Sequence, residues 1–188
     1  MRGYFGIGVE GLNKAMNAGS LFRTAHAFGA GFLFTVGASY DRKKGGNADT
    51  SDAVGSLPLY NFDSVGDMRL PEDCALIGVE ITEEANLLPS FRHPRCAAYV
   101  LGGERGELSK ELLGMCDDVV QIPTKFSVNL AIAGAIVMYD RLISSGGFAG
   151  RPVVPGGPAE PLPAHEFGKP ISRRKRAMRN GGAKARGE

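Results

Sequence analysis

Gln121-Ile122-Pro123-Thr124-Lys125-Phe126-Ser127-Val128-Asn129-Leu130, continued by Ala131-Ile132-Ala133-Gly134-Ala135-Ile136-Val137-Met138-Tyr139-Asp140, reads as a strand end, a tight turn and an apolar helix entered through polar residues. Ser127 and Asn129 are side chains that cap helix N-termini well. From Leu130 to Met138 the helix is apolar almost all round, the pattern of a buried helix. Its N-terminus is then expected at the edge of the core, where free backbone N–H groups and the positive dipole end make a polar site. The rest of the chain is read outward from that point.

Upstream, strand-like and helix-like runs alternate. Tyr4–Val9 is a short apolar run suited to a buried strand, and Glu10–Met16 reads as a loop ending at Asn17, a plausible helix cap. Leu21, Phe22, Ala25 and Phe28 fall at helical spacing, Gly29-Ala30-Gly31 ends that helix, and Phe32–Val36 is the next strand. Strand, helix, strand in so short a span predicts a parallel βαβ unit. Further strands are expected at 57–62, with Pro58 placing the first at an edge or a strand start, at 75–81, at 97–101 and at 119–122. A short helix is expected over 83–88, and Ser109 is expected to cap another through Leu113. The alternation predicts an α/β fold with a mainly parallel sheet flanked by helices.

At 188 residues the chain suits one core of ordinary size, and its 27 glycines are spread without a period, which excludes collagen-like and simple repeat architectures. Charge is distributed unevenly. Residues 1–150 carry 13 Lys+Arg against 17 Asp+Glu, net −4, whereas 151–188 carry 9 against 3, net +6. Such asymmetry fits either an appended nucleic-acid contact or a solubilising tail. We divide the chain into a folded domain, 1–147, and a Pro/Gly-rich linker with a basic, disordered tail, 148–188. Cys74, Cys96 and Cys116 are an odd, widely spaced set, expected as reduced and buried thiols. No apolar stretch reaches the roughly 18 residues of a membrane span, and no signal peptide is recognised at the start. A cytoplasmic protein is expected. His93 and Cys96 have a zinc-like spacing without a second pair, so no metal is expected.

Three motifs carry chemistry. In Asn17-Ala18-Gly19-Ser20-Leu21-Phe22-Arg23-Thr24-Ala25 a polar side chain, a glycine and an arginine lie along one short helix. Alone this is either a capped helix with a solvated arginine or an anion site. In Leu101-Gly102-Gly103-Glu104-Arg105-Gly106-Glu107-Leu108 a glycine-rich loop directly follows a strand. It matches neither the Walker A loop nor the dinucleotide fingerprint, yet it suits a ligand at a strand's carboxyl end as well as it suits a plain connector. The third is Ile122–Asn129.

In this order the motifs resemble the SpoU (TrmH-like) branch of the SPOUT superfamily of RNA 2′-O-ribose methyltransferases. That family carries Asn-x-Gly-x-x-x-Arg-x-Ala, a Leu-x-x-Gly-x-Glu-x-x-Gly-Leu loop, and Ile-Pro-Met with a Ser-Leu-Asn helix start. Asn17, Gly19, Arg23 and Ala25 complete the first motif; Leu101, Gly103 (or Gly102), Glu104 and Gly106 match the second; Ile122, Pro123, Ser127, Asn129 and Ala131 match the third. Thr124 stands where Met is usual, and the segment from Pro123 to Ser127 is about three residues shorter than in typical members. The likeness covers roughly residues 3–145.

The resemblance implies a C-terminal trefoil knot, a homodimer and S-adenosylmethionine as cofactor. Leu101, Gly102, Gly103, Gly106, Ile122, Pro123, Val128 and Leu130 would hold the cofactor. Catalytic roles would fall to Arg23, Asn17, Glu104, Ser127 and Asn129. For Arg23, whose guanidinium does not give up its proton in proteins, holding a phosphate and a developing oxyanion is the physically easier task. RNA contacts are expected from Arg23, from Arg42, Lys43 and Lys44 in the polar 37–52 loop, and from Arg173, Arg174, Lys175 and Arg176 in the tail. The expected activity is methyl transfer to a ribose 2′-OH, of tRNA in preference to rRNA. The rival expectations are base methylation and a knotted dimer that binds RNA or S-adenosylmethionine without turnover.

Overall fold

The computed structural model describes residues 3–39, 53–103, 106–146, 148–152 and 154–157. The chain divides into two units, Met1–Ser144 and Ser145–Glu188, and the first carries the sheet.

Strands β1 (Phe5–Glu10), β2 (Phe32–Val36), β3 (Leu59–Phe62), β4 (Ala75–Val79), β5 (Asn86–Leu87), β6 (Ala97–Gly102) and β7 (Asp118–Gln121) form one sheet in the order β3-β2-β1-β6-β4-β7-β5. Every pairing is parallel, from Ile7 opposite Leu33 and Tyr99 to Asn86 opposite Val120. Helices are α1 (Ala15–Phe28), the single turn α2 (Ala53–Ser56), α3 (Lys110–Met115) and α4 (Leu130–Ser144). The expected α/β architecture is present, with β3 at the edge that Pro58 predicted.

Parallel sheets are covered on both faces, and this one has an apolar cluster on each. Alternate residues of β6 divide between them: Ala97, Tyr99 and Leu101 join the α1 and α4 side, while Ala98 and Val100 join the side of Leu108 and Leu112. Gly6 and Gly8 of β1 make room for the rings of Phe32 and Phe34, which lie 2.3 Å and 2.4 Å from where a Cβ would stand. Gly134 does the same between the helices, with Leu21 Cδ1 2.3 Å from its absent Cβ, so α1 and α4 pack closely.

Four expectations need correction. Helix α1 starts at Ala15, with Lys14 at the cap position, so Asn17 lies inside its first turn rather than capping it. The Lys14 carbonyl accepts from Asn17 N and Ala18 N, at 3.1 Å and 3.2 Å, and begins the helix without a side-chain cap. The helix expected over 83–88 is instead β5 followed by a 3₁₀ turn, Leu88–Ser90, because Asn86 and Leu87 pair with β7 and Asn86 Nδ2 donates to Asp118 Oδ1 at 3.1 Å. Helix α4 buries Leu130, Gly134, Val137 and Met138 but leaves Ile132 (55%), Tyr139 (53%) and Leu142 (41%) exposed, so among the described residues it is not buried all round. The cysteines are free but half-buried, not buried. Ser109 does cap α3, its hydroxyl accepting from Leu112 N at 3.1 Å.

The carboxyl-terminal half of α4 is pinned by charge. Arg141 donates to the Pro94, Arg95 and Tyr4 carbonyls and to the Tyr99 hydroxyl, at 2.6–3.2 Å. Tyr99, fully buried, donates to His93 Nδ1 at 2.6 Å, and His93 Nε2 reaches Asp140 Oδ2 at 2.9 Å. A neutral imidazole protonated on Nε2 satisfies both partners. Burial favours that form and holds the His93 pKa below its usual value, against the pull of the Asp140 carboxylate. Among the described residues, no helix is long and apolar enough to cross a membrane.

Candidate active site

The carboxyl ends of three neighbouring strands, β6, β4 and β7, open into a cleft of about 740 Å³. Val79-Glu80-Ile81, Leu101-Gly102-Gly103 and Gln121-Ile122 contribute its floor, and the N-terminal ends of α1 (Lys14, Asn17) and α4 (Asn129, Leu130, Ala133) contribute its wall. A crevice beyond strand carboxyl ends is where open parallel sheets take ligands, and the volume lies within the range of small-molecule sites.

The polar wall is assembled from distant parts of the chain. Asn129 caps α4, its Oδ1 accepting from Ala131 N at 2.9 Å, and its Nδ2 donates to Asn17 Oδ1 at 3.2 Å. Because Lys14 begins α1, the Asn17 side chain is available to meet Asn129. Ser127 lines the same cleft. The segment before it is closed by Thr124, whose hydroxyl donates to the Phe126 carbonyl at 2.9 Å.

Two carboxylates hold the glycine-rich segment. Glu80 Oε2 accepts from Leu108 N at 2.9 Å, and Glu10 Oε2 accepts from Ser109 N at 2.7 Å. Gly103 lies against the end of β1: a Cβ there would stand 2.5 Å from the Gly11 carbonyl oxygen and 2.7 Å from that of Glu10. Only glycine lets these two backbones approach so closely.

Of the residues singled out by sequence, the structure brings together Asn17, Leu101, Gly102, Gly103, Gly106, Ile122, Ser127, Val128, Asn129 and Leu130 around this cleft. Pro123 and Arg23 do not line it. Arg23 is exposed and makes no hydrogen bond or ion pair among the described residues. Six residues beyond Asn17 on α1, it lies roughly 120° round the helix and about 9 Å along it. Glu104 lies outside the described residues, as do Arg42, Lys43, Lys44, Arg173, Arg174, Lys175 and Arg176. Sequence reading missed Glu80, Glu10 and Lys14. The first two follow or end apolar strands, and an acid at a strand's carboxyl end was the signal that could have found them. Among the described residues, no group of three or more His, Cys, Asp or Glu is placed to hold a metal ion.

The donors suit an adenosine-bearing ligand. Leu101, Ile122 and Leu130 offer an apolar slot, the glycine backbone allows close approach, and the Glu80 carboxylate supplies an acceptor. An all-parallel sheet with such a cleft at its strand ends makes this an α/β protein of the class that takes ligands beyond the strand carboxyl ends. Residues 5–139 match the model of the SpoU rRNA Methylase family, and the chain belongs to that family of S-adenosylmethionine-dependent RNA methyltransferases. It is similar to the SpoU methyltransferase AviRb of Streptomyces viridochromogenes, at 25% identity and a TM-score of 0.66 over 76% of this chain and 60% of that one. AviRb has also been solved with AdoMet. The present chain is also 27% identical over 137 residues to mouse tRNA (guanosine(18)-2′-O)-methyltransferase TARBP1, a match that covers 69% of this chain but 9% of that protein. The A. aeolicus TrmH/SpoU tRNA modifying enzyme shares the fold, at a TM-score of 0.62 and 16% identity over 74% of each chain. The chain thus spans less than two thirds of AviRb and a small part of TARBP1.

Proposed function

We propose that this protein transfers a methyl group from S-adenosylmethionine to a ribose 2′-OH of tRNA. The observation that carries this reading is the Asn17–Asn129 pair beside Ser127, which sets an amide–hydroxyl wall against the glycine-lined cleft. Leu101, Ile122 and Leu130 would take the adenine, and Gly102, Gly103 and Gly106 would follow the cofactor with backbone groups. S-adenosylmethionine supplies a methyl group activated by its sulfonium. The chain supplies position: Asn17, Ser127 and Asn129 orient the acceptor ribose for in-line attack, where orientation is worth a large share of the rate. Arg23, exposed, outside this cleft and without a partner among the described residues, would hold a phosphate of the bound RNA. The likeness to the tRNA-modifying TARBP1 favours tRNA.

The active form we propose is a homodimer. Ile132 and Tyr139, about two turns apart on α4, are large apolar side chains left exposed among the described residues, and a second copy is the economical cover. We further propose that the turn from β6 through β7 into α4 forms the trefoil knot of the related fold, since β7 lies across β4 from β6. The basic segment after residue 150 would add to RNA binding.

The test is labelled methyl transfer to total RNA from a strain lacking the protein, followed by size fractionation. Label in the tRNA fraction, lost with Arg23→Ala, is the expected result. No label in any fraction, although S-adenosylmethionine binds by calorimetry, would overturn the catalytic reading.

A further inference from the structure

We infer that Glu80 is the residue that holds the ribose hydroxyls of the methyl donor's adenosine. Glu80 is the first residue past β4, and it lines the cleft between Val79 and Ile81. Its carboxylate is fixed in place. Oε1 accepts from Ile81 N and Oε2 from Leu108 N, each at 2.9 Å, so the group is tied to both the β4 exit and the glycine-rich segment. It takes part in no salt bridge among the described residues.

An ionised carboxylate accepts at about four lone-pair positions, and two backbone N–H groups use two of them here. Glu80 lines the same cleft as the apolar Leu101, Ile122 and Leu130. An orientated acceptor that forms no ion pair among the described residues fits neutral donors. A vicinal diol supplies two of them, whereas a phosphate would meet like charge. Neither neighbouring acid is held as Glu80 is. Glu10 is turned toward Ser109 N and does not line the cleft, and Glu107 lines it but is exposed, with no hydrogen bond fixing its carboxylate among the described residues. An acid at a strand's carboxyl end holding a ribose hydroxyl is a recurrent solution in open α/β sheets. Here the same carboxylate also sets the glycine-rich segment, so the bound ribose and the segment over it share one anchor.

The inference rests on the cofactor part of the proposed function and is independent of which RNA atom is methylated. It is tested on the full chain by calorimetry, comparing S-adenosylhomocysteine with its 2′,3′-dideoxy analogue. The unaltered protein should prefer the natural ribose by about tenfold or more, the scale of hydrogen bonds to a charged group. Glu80→Gln keeps the shape and one acceptor oxygen; it should lose most of that preference, weakening binding of the natural ribose several-fold more than binding of the dideoxy analogue. Glu80→Asp, which keeps the charge on a shorter arm, should lose the preference as well and serves if the first variant does not fold. Equal weakening toward both ligands would mean that Glu80 acts only by holding the segment at Leu108, and the inference would be overturned. Retention of the full preference would also overturn it. If S-adenosylhomocysteine did not bind the parent protein, the cofactor assignment itself would fall.

Discussion

Asn129 Nδ2 donates to Asn17 Oδ1 at 3.2 Å across 112 residues of chain. This one bond ties the first turn of α1 to the cap of α4, and both residues face the cleft. The cap and the site are therefore the same side chain, which allows stability and binding to be separated by substitution. Asn129→Ala should lose about 1 kcal/mol, the usual worth of an N-cap. Asn129→Asp keeps the acceptor for Ala131 N and should stay close to the parent in urea unfolding. Methyl transfer should fall in both, because each loses the amide donor aimed at Asn17. A fully active Asn129→Asp would show that the donor has no part in positioning.

Gly103 and Gly106 lie three residues apart and should answer differently to alanine. A Cβ at Gly103 would stand 2.5 Å from one backbone oxygen and 2.7 Å from another, whereas one at Gly106 would meet nothing within 4 Å. Gly103→Ala must move the segment off the end of β1. A loss in S-adenosylhomocysteine affinity of about tenfold, or 1.4 kcal/mol, is expected by calorimetry. Gly106→Ala should bind within about twofold of the parent.

His93 gives the fold a pH dependence with a defined sign. Burial lowers its pKa in the folded state, so the unfolded chain binds a proton near its ordinary value of about 6.5 while the folded chain resists it. The contribution to stability is present above that unfolded value and is lost as pH falls through the lowered folded value. Urea midpoints measured from neutral pH down to mildly acidic pH should therefore fall more steeply for the parent than for His93→Gln. Identical slopes would remove His93 from the account.

Arg23 is exposed and without a partner among the described residues, so its replacement should leave stability within about 0.5 kcal/mol of the parent. Arg23→Ala should bind S-adenosylhomocysteine normally yet lose methyl transfer by about tenfold or more, the scale of a lost hydrogen bond to a charged group. Arg23→Lys keeps the charge but not the planar fork. Full turnover by that variant would rule out a two-pronged hold on the phosphate.

Much of this architecture was legible because its signals are local. β1, α1 and β2 follow from short apolar runs with a helical period between them, and Ser109 announces α3 by residue type alone. Asn17 was misread for the same reason. It is a good cap by type, but the Lys14 carbonyl started the helix earlier and left the amide for Asn129. The expected helix over 83–88 failed because Asn86 and Leu87 are held as a strand by Val120 and Gln121, partners more than thirty residues away in sequence. Helix α4 was apolar enough to predict burial, but composition does not say what covers each side. Glu80 carried no periodic signal, since its meaning depends on Leu108 N, 28 residues further on. Of the proposed catalytic set, Asn17, Ser127 and Asn129 meet at the cleft, Arg23 stands outside it, and Glu104 lies outside the described residues.

The central claim is the atom that receives the methyl group, and product analysis addresses it most directly. Purified protein would be incubated with methyl-labelled S-adenosylmethionine and tRNA, and the product hydrolysed with alkali. The account predicts label in alkali-resistant dinucleotides, because a 2′-O-methyl group removes the nucleophile that cleaves the adjoining phosphodiester. Label recovered only in mononucleotides carrying a methylated base would contradict it.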